Sequence, residues 1–87
     1  MKIIWDEPKR KSNIAKHGVD FAGVGEEFFA SAIVVPAKKE GRWQAIGWLG
    51  SFVAFVIFRP LGAEALSIIS ARPASLKERK IVNGRSA

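Results

Sequence analysis

The run SFVAFVIF, from Ser51 to Phe58, limits the possible folds more than any other part of the chain. Its eight uncharged residues are mostly β-branched or aromatic, which suits a strand buried on both faces at the centre of a sheet. A second apolar run, Trp43 to Leu49, precedes it across Gly50-Ser51, and a tight turn there predicts an antiparallel hairpin. Downstream, Arg59-Pro60-Leu61-Gly62 is expected to break the strand, because Pro60 has no N–H to give to a ladder. Leu66 to Ala71 then offers the next strand. Trp43 to Phe58 carries no charge over sixteen residues, yet a membrane-spanning helix needs about 20. Gly47, Gly50 and Ser51 interrupt the run, so a soluble sheet is expected and no membrane span.

The flanking segments supply helices. Asp6 is placed to cap free N–H groups, Glu7 suits the positive end of a helix dipole, and Pro8 fits a first turn. That helix is expected to reach about Lys16, with Gly18 ending it in the left-handed conformation. Only Ile14 and Ala15 are plainly apolar, so it should pack lightly and turn Lys9, Arg10 and Lys16 outward. Asp20 can cap a second helix from Phe21 to about Phe29, whose Phe21, Val24 and Phe28 fall on one face. Ala32 to Val35 reads as a strand closed by Pro36, and Ala37 to Gly41 as a polar loop. Ser75 and Glu78 have the spacing of a capping box, which predicts a third helix ended near Val82 by Asn83-Gly84. With Lys2 to Trp5 as a first strand, the expected class is α+β, in the order β-α-α-β-β-β-β-α around a small antiparallel sheet.

Eighty-seven residues are expected to form one domain, 1–87, with a single core. There is no cysteine and one histidine, which argues against a thiolate or histidine-rich metal site, and no cofactor is expected. The apolar run Ile3-Ile4-Trp5 ends at Asp6-Glu7, too short for a signal peptide, so the expected location is cytoplasmic. The net charge of +6 is uneven. Residues 1–18 carry +3, residues 72–87 carry +4, and the middle is slightly acidic. A fold that joins the two ends would make one basic face able to attract a polyanion, although a solvated surface kept for solubility explains the same charges.

Trp5-Asp6-Glu7-Pro8-Lys9, Asn13, Lys16-His17-Gly18-Val19 and Phe21 match the opening W-D-x-x-K-x-x-x-N-x-x-K-H-G-V-x-F of a known family. Arg42 to Gly47, Ile68 to Ala74 and Lys77-Glu78-Arg79 match its R-x-x-x-I-G and I-I-S-A-R-x-A-x-x-x-E-R segments. In both halves the chain thus resembles the BrnT toxins. The resemblance implies a type II toxin with a RelE/ParE-like fold. Its implied activity is that of a metal-independent endoribonuclease of the mRNA-interferase kind, which cuts RNA and stops translation. The implied partner is a ribbon-helix-helix antitoxin similar to BrnA, forming a hetero-oligomer with the toxin. Two positions depart from the pattern: Val82 stands where the family commonly has tyrosine, and Ser67 where it often has a basic residue.

Metal-free RNA cleavage needs a base for the 2′-hydroxyl, cations for the charge growing on phosphate, and a proton for the leaving oxygen. Arginine fits the second task because its fork pairs two phosphate oxygens, so Arg72 and Arg79 are the first candidates. A structural ion pair is the plain alternative for each. His17 is a candidate for proton transfer, but beside Gly18 it can equally serve the carbonyls of a helix end. Lys16 is a candidate phosphate contact, and Glu78 a candidate base that its capping role already explains. Lys9, Arg10, Arg59, Lys77 and Lys80 complete the expected RNA-binding set. Trp5, Trp43 and Trp48 could stack on bases or belong to the core. A binding module of the same fold without catalysis shares all of these basic residues.

Overall fold

The computed structural model describes residues 1–85. Five strands and three helices follow in the order β1 (Lys2–Trp5), α1 (Glu7–His17), a single 3₁₀ turn (Phe21–Gly23), α2 (Glu26–Ser31), β2 (Ile33–Pro36), β3 (Trp43–Leu49), β4 (Phe52–Leu61), β5 (Ala65–Pro73) and α3 (Leu76–Arg85). The strands form one sheet in the spatial order β1-β5-β4-β3-β2. Phe52 to Phe58 of the apolar run therefore lie in the central strand, and the hairpin with β3 turns at Gly50-Ser51 with Leu49 opposite Phe52.

Four expectations are corrected. First, the sheet is mixed and not wholly antiparallel, because β1 pairs in parallel with β5 from Lys2↔Ala65 to Trp5↔Ile68. Second, Pro60 does not break β4, which continues to Leu61 with Pro60 opposite Leu66. The last β3 partner is Trp43, opposite Phe58, so residues 59–61 have a neighbour on one side only, a setting in which a strand tolerates proline. Third, the helix expected over Phe21 to Phe29 is divided. Asp20 caps the 3₁₀ turn by accepting from the Ala22 N–H, Val24 is extended, and Gly25 starts α2. Two glycines within three residues weaken a continuous helix there. Fourth, α3 runs through Asn83-Gly84 to Arg85.

The remaining signals act as read. Asp6 accepts from the Lys9 N–H at the start of α1, and Gly18, at φ 73°, donates its N–H to the Ile14 carbonyl at the end. Ser75 and Glu78 form the capping box in both directions, at 2.9 and 3.2 Å.

The sheet is covered differently on its two sides. Alternate residues point to opposite faces of a strand. Ala45, Ala54, Val56, Phe58, Leu66, Ile68 and Ala71 thus share one face and pack with Val19, Phe21, Val24 and Phe28 into the main core. Fully burying side chains such as Phe21, Ile68, Val24 and Val56 contributes about 1.5–3 kcal/mol each. The opposite face carries a smaller cluster, Ile46 and Val53 under Val82 of α3, with Ile33, Phe55 and Ala74 at its margin. Beyond that cluster the second face is left open.

Candidate nucleic-acid interface

Three register-paired rows cross this second face. Under α3 lies the row Ile33, Ile46, Phe55 and Arg72. The next is Val35, Gln44, Ile57 and Ser70. The third brings Arg59 opposite Ser67, which in turn pairs with Ile4. The middle row is uncharged and half open, with Arg72 to one side along β5 and Arg59 to the other along β4. At Ile57/Phe58 the β4–β5 ladder slips by one residue, leaving Ile69 as an extra residue of β5 between Ile68 and Ser70. Bulges of this kind re-aim side chains and recur beside functional sites.

Arg72 is the most constrained cation of the face. Its two terminal nitrogens donate to both oxygens of Glu78 at 2.8 and 2.9 Å, and one also donates to the Pro73 carbonyl. Its guanidinium lies 4.1 Å from the centre of the Phe55 ring, a cation–π contact. The hydrogen bonds from Arg72 hold the Glu78 carboxyl below its ordinary range, against the opposing effect of partial burial, and the Ser75 N–H adds to the lowering. Glu78 is thus an ionised, fully engaged carboxylate at neutral pH. That suits it to orient Arg72 more than to abstract a proton.

The candidate residues divide between separate places. Arg72 and Glu78 border a concavity of about 470 Å³ whose other side is the β2–β3 loop, with Lys38, Lys39, Arg42 and the floor residues Gln44 and Ile57. Lys9, Lys16 and His17 gather on α1 around a second hollow that also contains Ser12, Ser70 and Ile69. The two hollows adjoin across the Ile57–Ser70 pair. Arg79, although next to Glu78 in sequence, lies in a different groove with Trp48, Phe52 and Asn83 at the hairpin end. Lys77, Lys80 and Arg59 are exposed.

Arg10 does not turn outward as expected. It donates to Glu7 at 2.8 Å and to both oxygens of Asp20 at 3.1 Å, tying α1 to the cap of the 3₁₀ turn. Glu7 also accepts from the Trp5 indole. Trp5 packs against the main core, while Trp43 and Trp48 are partly exposed. Val82, at the position where tyrosine was expected, is buried against the sheet. Ser67 sits directly opposite Arg59, so a cation from the neighbouring strand stands beside the position that lacks one.

Two groups were missed. Lys38, Lys39 and Arg42 read only as a polar loop and a motif residue, and the signal that finds them is the strand pairing, which folds the loop back over the open face. Asn13 is buried among polar partners, and no periodic pattern marks such a residue. Among the described residues, no three His, Cys, Asp or Glu side chains lie together as a metal-binding group. No helix among them is long and apolar enough to cross a membrane.

Fold and site together define a small α+β protein with one sheet face sealed by its core and the other open and lined with cations. The family model described as the ribonuclease toxin BrnT of type II toxin-antitoxin systems matches residues 5–78, and the chain belongs to that family. It is 60% identical to the Brucella abortus ribonuclease toxin BrnT, known from a crystal structure at 1.1 Å resolution. The match covers 86% of this chain and 97% of that one, with a TM-score of 0.81. No match was found among curated proteins. The resemblance carried by the sequence motifs is thereby borne out, and type II membership implies an antitoxin partner and an RNA target.

Proposed function

We propose that the protein is a metal-independent endoribonuclease whose reaction takes place on the open sheet face, between Arg72 and the α1 cations. The observation that carries this reading is Arg72 itself, fixed by Glu78 and Phe55 beside an uncharged floor, with Lys16 and His17 across the Ile57–Ser70 pair. In such a reaction the 2′-oxygen attacks the adjacent phosphorus and the P–O5′ bond breaks, leaving a 2′,3′-cyclic phosphate and a 5′-hydroxyl. One proton leaves the 2′-hydroxyl and one reaches the departing oxygen. His17 is the proton-transfer group in this scheme, Lys16 and Lys9 hold phosphate oxygens, and Arg72 stabilises the charge that grows on the phosphorane. Glu78 is a positioning residue for Arg72.

The RelE/ParE-like assignment rests on the run of helical segments followed by the β2-β3-β4-β5 meander. The proposed biological setting is the cytoplasm, where cutting messenger RNA would stop translation. The proposed antitoxin is a BrnA-like ribbon-helix-helix protein, supported by family membership and the basic ends of the chain. Incubating the purified protein with RNA in excess EDTA tests the chemistry. The expected products end in cyclic phosphate, and Arg72→Lys and His17→Ala should lose them while staying folded. Wild-type cleavage no faster than background would leave a nucleic-acid or partner-binding module as the function.

A further inference from the structure

The β2–β3 loop is a short, tied turn. Pro36 and Trp43 are the last paired residues, the Ala37 N–H donates to the Arg42 carbonyl at 3.0 Å, and the Arg42 N–H donates to the Lys39 carbonyl at 3.1 Å. Gly41, at φ 79°, supplies the left-handed residue the turn requires. Lys38, Lys39 and Arg42 are therefore held by backbone geometry at the β2–β3 end of the sheet, around the hollow whose floor is Gln44 and Ile57 of the middle row. At the other end, beside Ser70, stand Lys9, Lys16 and His17. The row Val35, Gln44, Ile57 and Ser70 crosses four strands, and three strand intervals span about 14 Å. Cations stand at both ends, and the floor between them is uncharged and only partly buried.

We propose that Lys38, Lys39 and Arg42 form a second phosphate subsite, so that a single strand of RNA lies across the sheet from the β2–β3 loop to α1. Phosphates are held at the loop and at α1, and the intervening sugar and bases rest on Gln44 and Ile57. This inference rests on the ribonuclease reading above and adds the direction and extent of the substrate to it. A single strand fits the chemistry as well as the charges. The 2′-oxygen must come into line with the P–O5′ bond, which a stacked A-form duplex does not offer, and an unpaired strand can splay its bases onto a protein floor. The loop cations border the Arg72 hollow and not the α1 hollow that holds the proposed proton-transfer group, so they should contribute mainly to substrate binding, nearly equally in ground and transition states.

The test uses a uniformly 2′-O-methylated single strand, which the enzyme cannot cut because its nucleophile is blocked, and a duplex of the same sequence. For Lys38→Gln/Lys39→Gln/Arg42→Gln, affinity for the single strand should fall on the order of a hundredfold, and the slope of log affinity against log salt should become shallower by about 2, at about 0.7 per lost phosphate contact. On cleavable RNA the same variant should raise KM and leave kcat nearly unchanged. Lys2→Gln/Lys11→Gln, which removes exposed charges away from the row, should leave affinity and slope near the wild-type values. Unchanged affinity and slope in the loop variant would overturn the subsite, and so would loss of neutralisation by the antitoxin with RNA binding intact, which would make the loop a protein contact. Duplex binding as tight as single-strand binding would overturn the proposed substrate form. A wild-type protein that cuts RNA while the loop variant is indistinguishable from it refutes this inference alone. A wild-type protein that neither binds nor cuts RNA refutes the ribonuclease reading with it.

Discussion

Asn13 closes onto the backbone of Ala71 in both directions. Its amide nitrogen donates to the Ala71 carbonyl at 2.7 Å, and the Ala71 N–H donates to its amide oxygen at 3.2 Å. The same nitrogen donates to the Val19 carbonyl at 2.8 Å. The pairing of β1 with β5 ends at Trp5↔Ile68, so beyond the bulge the side chain of Asn13 stands in for a neighbouring strand. It thereby pins the helix bearing Lys9, Lys16 and His17 to the strand bearing Ser70 and Arg72, and fixes the spacing of the two groups of cations.

Asn13→Ala should therefore destabilise the protein by about 3 kcal/mol, because it leaves the Val19 and Ala71 carbonyls and the Ala71 N–H without their partner. Asn13→Asp should be at least as damaging. A carboxylate would face the two carbonyls that the amide nitrogen now serves, and burying an unpaired charge is costly. Urea unfolding of both variants checks this. Asn13→Asp as stable as wild type would show that the amide is not buried between carbonyls.

Gly47 marks where α2 ends against the sheet. A Cβ placed there would lie 3.0 Å from the Ala32 Cα and 3.1 Å from its Cβ, and backbone cannot move aside as a flexible side chain can. Gly47→Ala is expected to cost about 1–3 kcal/mol, the range for overpacking. A lowered urea midpoint with an unchanged slope is the expected readout.

These two residues show how far the sequence could be read. The central strand, the β3–β4 hairpin, the α1 caps and the Ser75–Glu78 capping box follow from local chemistry, and local chemistry is what a single sequence displays. Gly47 was visible only as an interruption of an apolar run, because the backbone that approaches it comes from Ala32, fifteen residues away. Asn13 was visible only as a motif letter, since its partner Ala71 is distant in sequence. Pro60 misled because its effect depends on whether β3 reaches that far along β4. The basic loop escaped for the same reason: Lys38, Lys39 and Arg42 acquire a common role only once pairing sets Gln44 opposite Ile57. Arg72 was found from its residue type, but its tie to Glu78 needed the geometry.

The Glu78 carboxyl makes that tie sensitive to acid. Its folded-state value is lowered chiefly by the hydrogen bonds from Arg72. The stability it contributes is therefore fully present above the unfolded value, about 4.3 for a glutamate, and is lost as the pH falls through the lower folded value. Glu7, Asp20 and Glu26 are shifted in the same direction by their own partners, so acid unfolding should set in below the ordinary carboxylate range. Glu78→Gln should melt below wild type at neutral pH and approach it in acid below the lowered folded-state value, where wild-type Glu78 becomes protonated. Melting curves that stay equally far apart at both pH values would show that the tie contributes no pH-dependent stability.

The two arginines flanking Glu78 in the motif should separate in function. Arg72 borders the hollow over the sheet, whereas Arg79 lies in the groove with Trp48 and Phe52, and the two hollows have no lining residue in common. Arg72→Lys keeps the charge but loses the paired donors, both toward Glu78 and toward a phosphate. Its cleavage rate should fall about tenfold to a thousandfold, the range for removing one preorganised donor. Arg79→Lys should leave the rate near wild type, because its groove is separate from the hollow over the sheet. Measuring melting and RNA cleavage on the same preparations separates these effects. A fall in Arg79→Lys as deep as that in Arg72→Lys, at equal stability, would move the reaction centre toward the hairpin end of the sheet. Loss of melting temperature in Arg72→Lys with an intact rate per folded molecule would reduce Arg72 to a structural ion pair and leave the α1 cations as the core of the site.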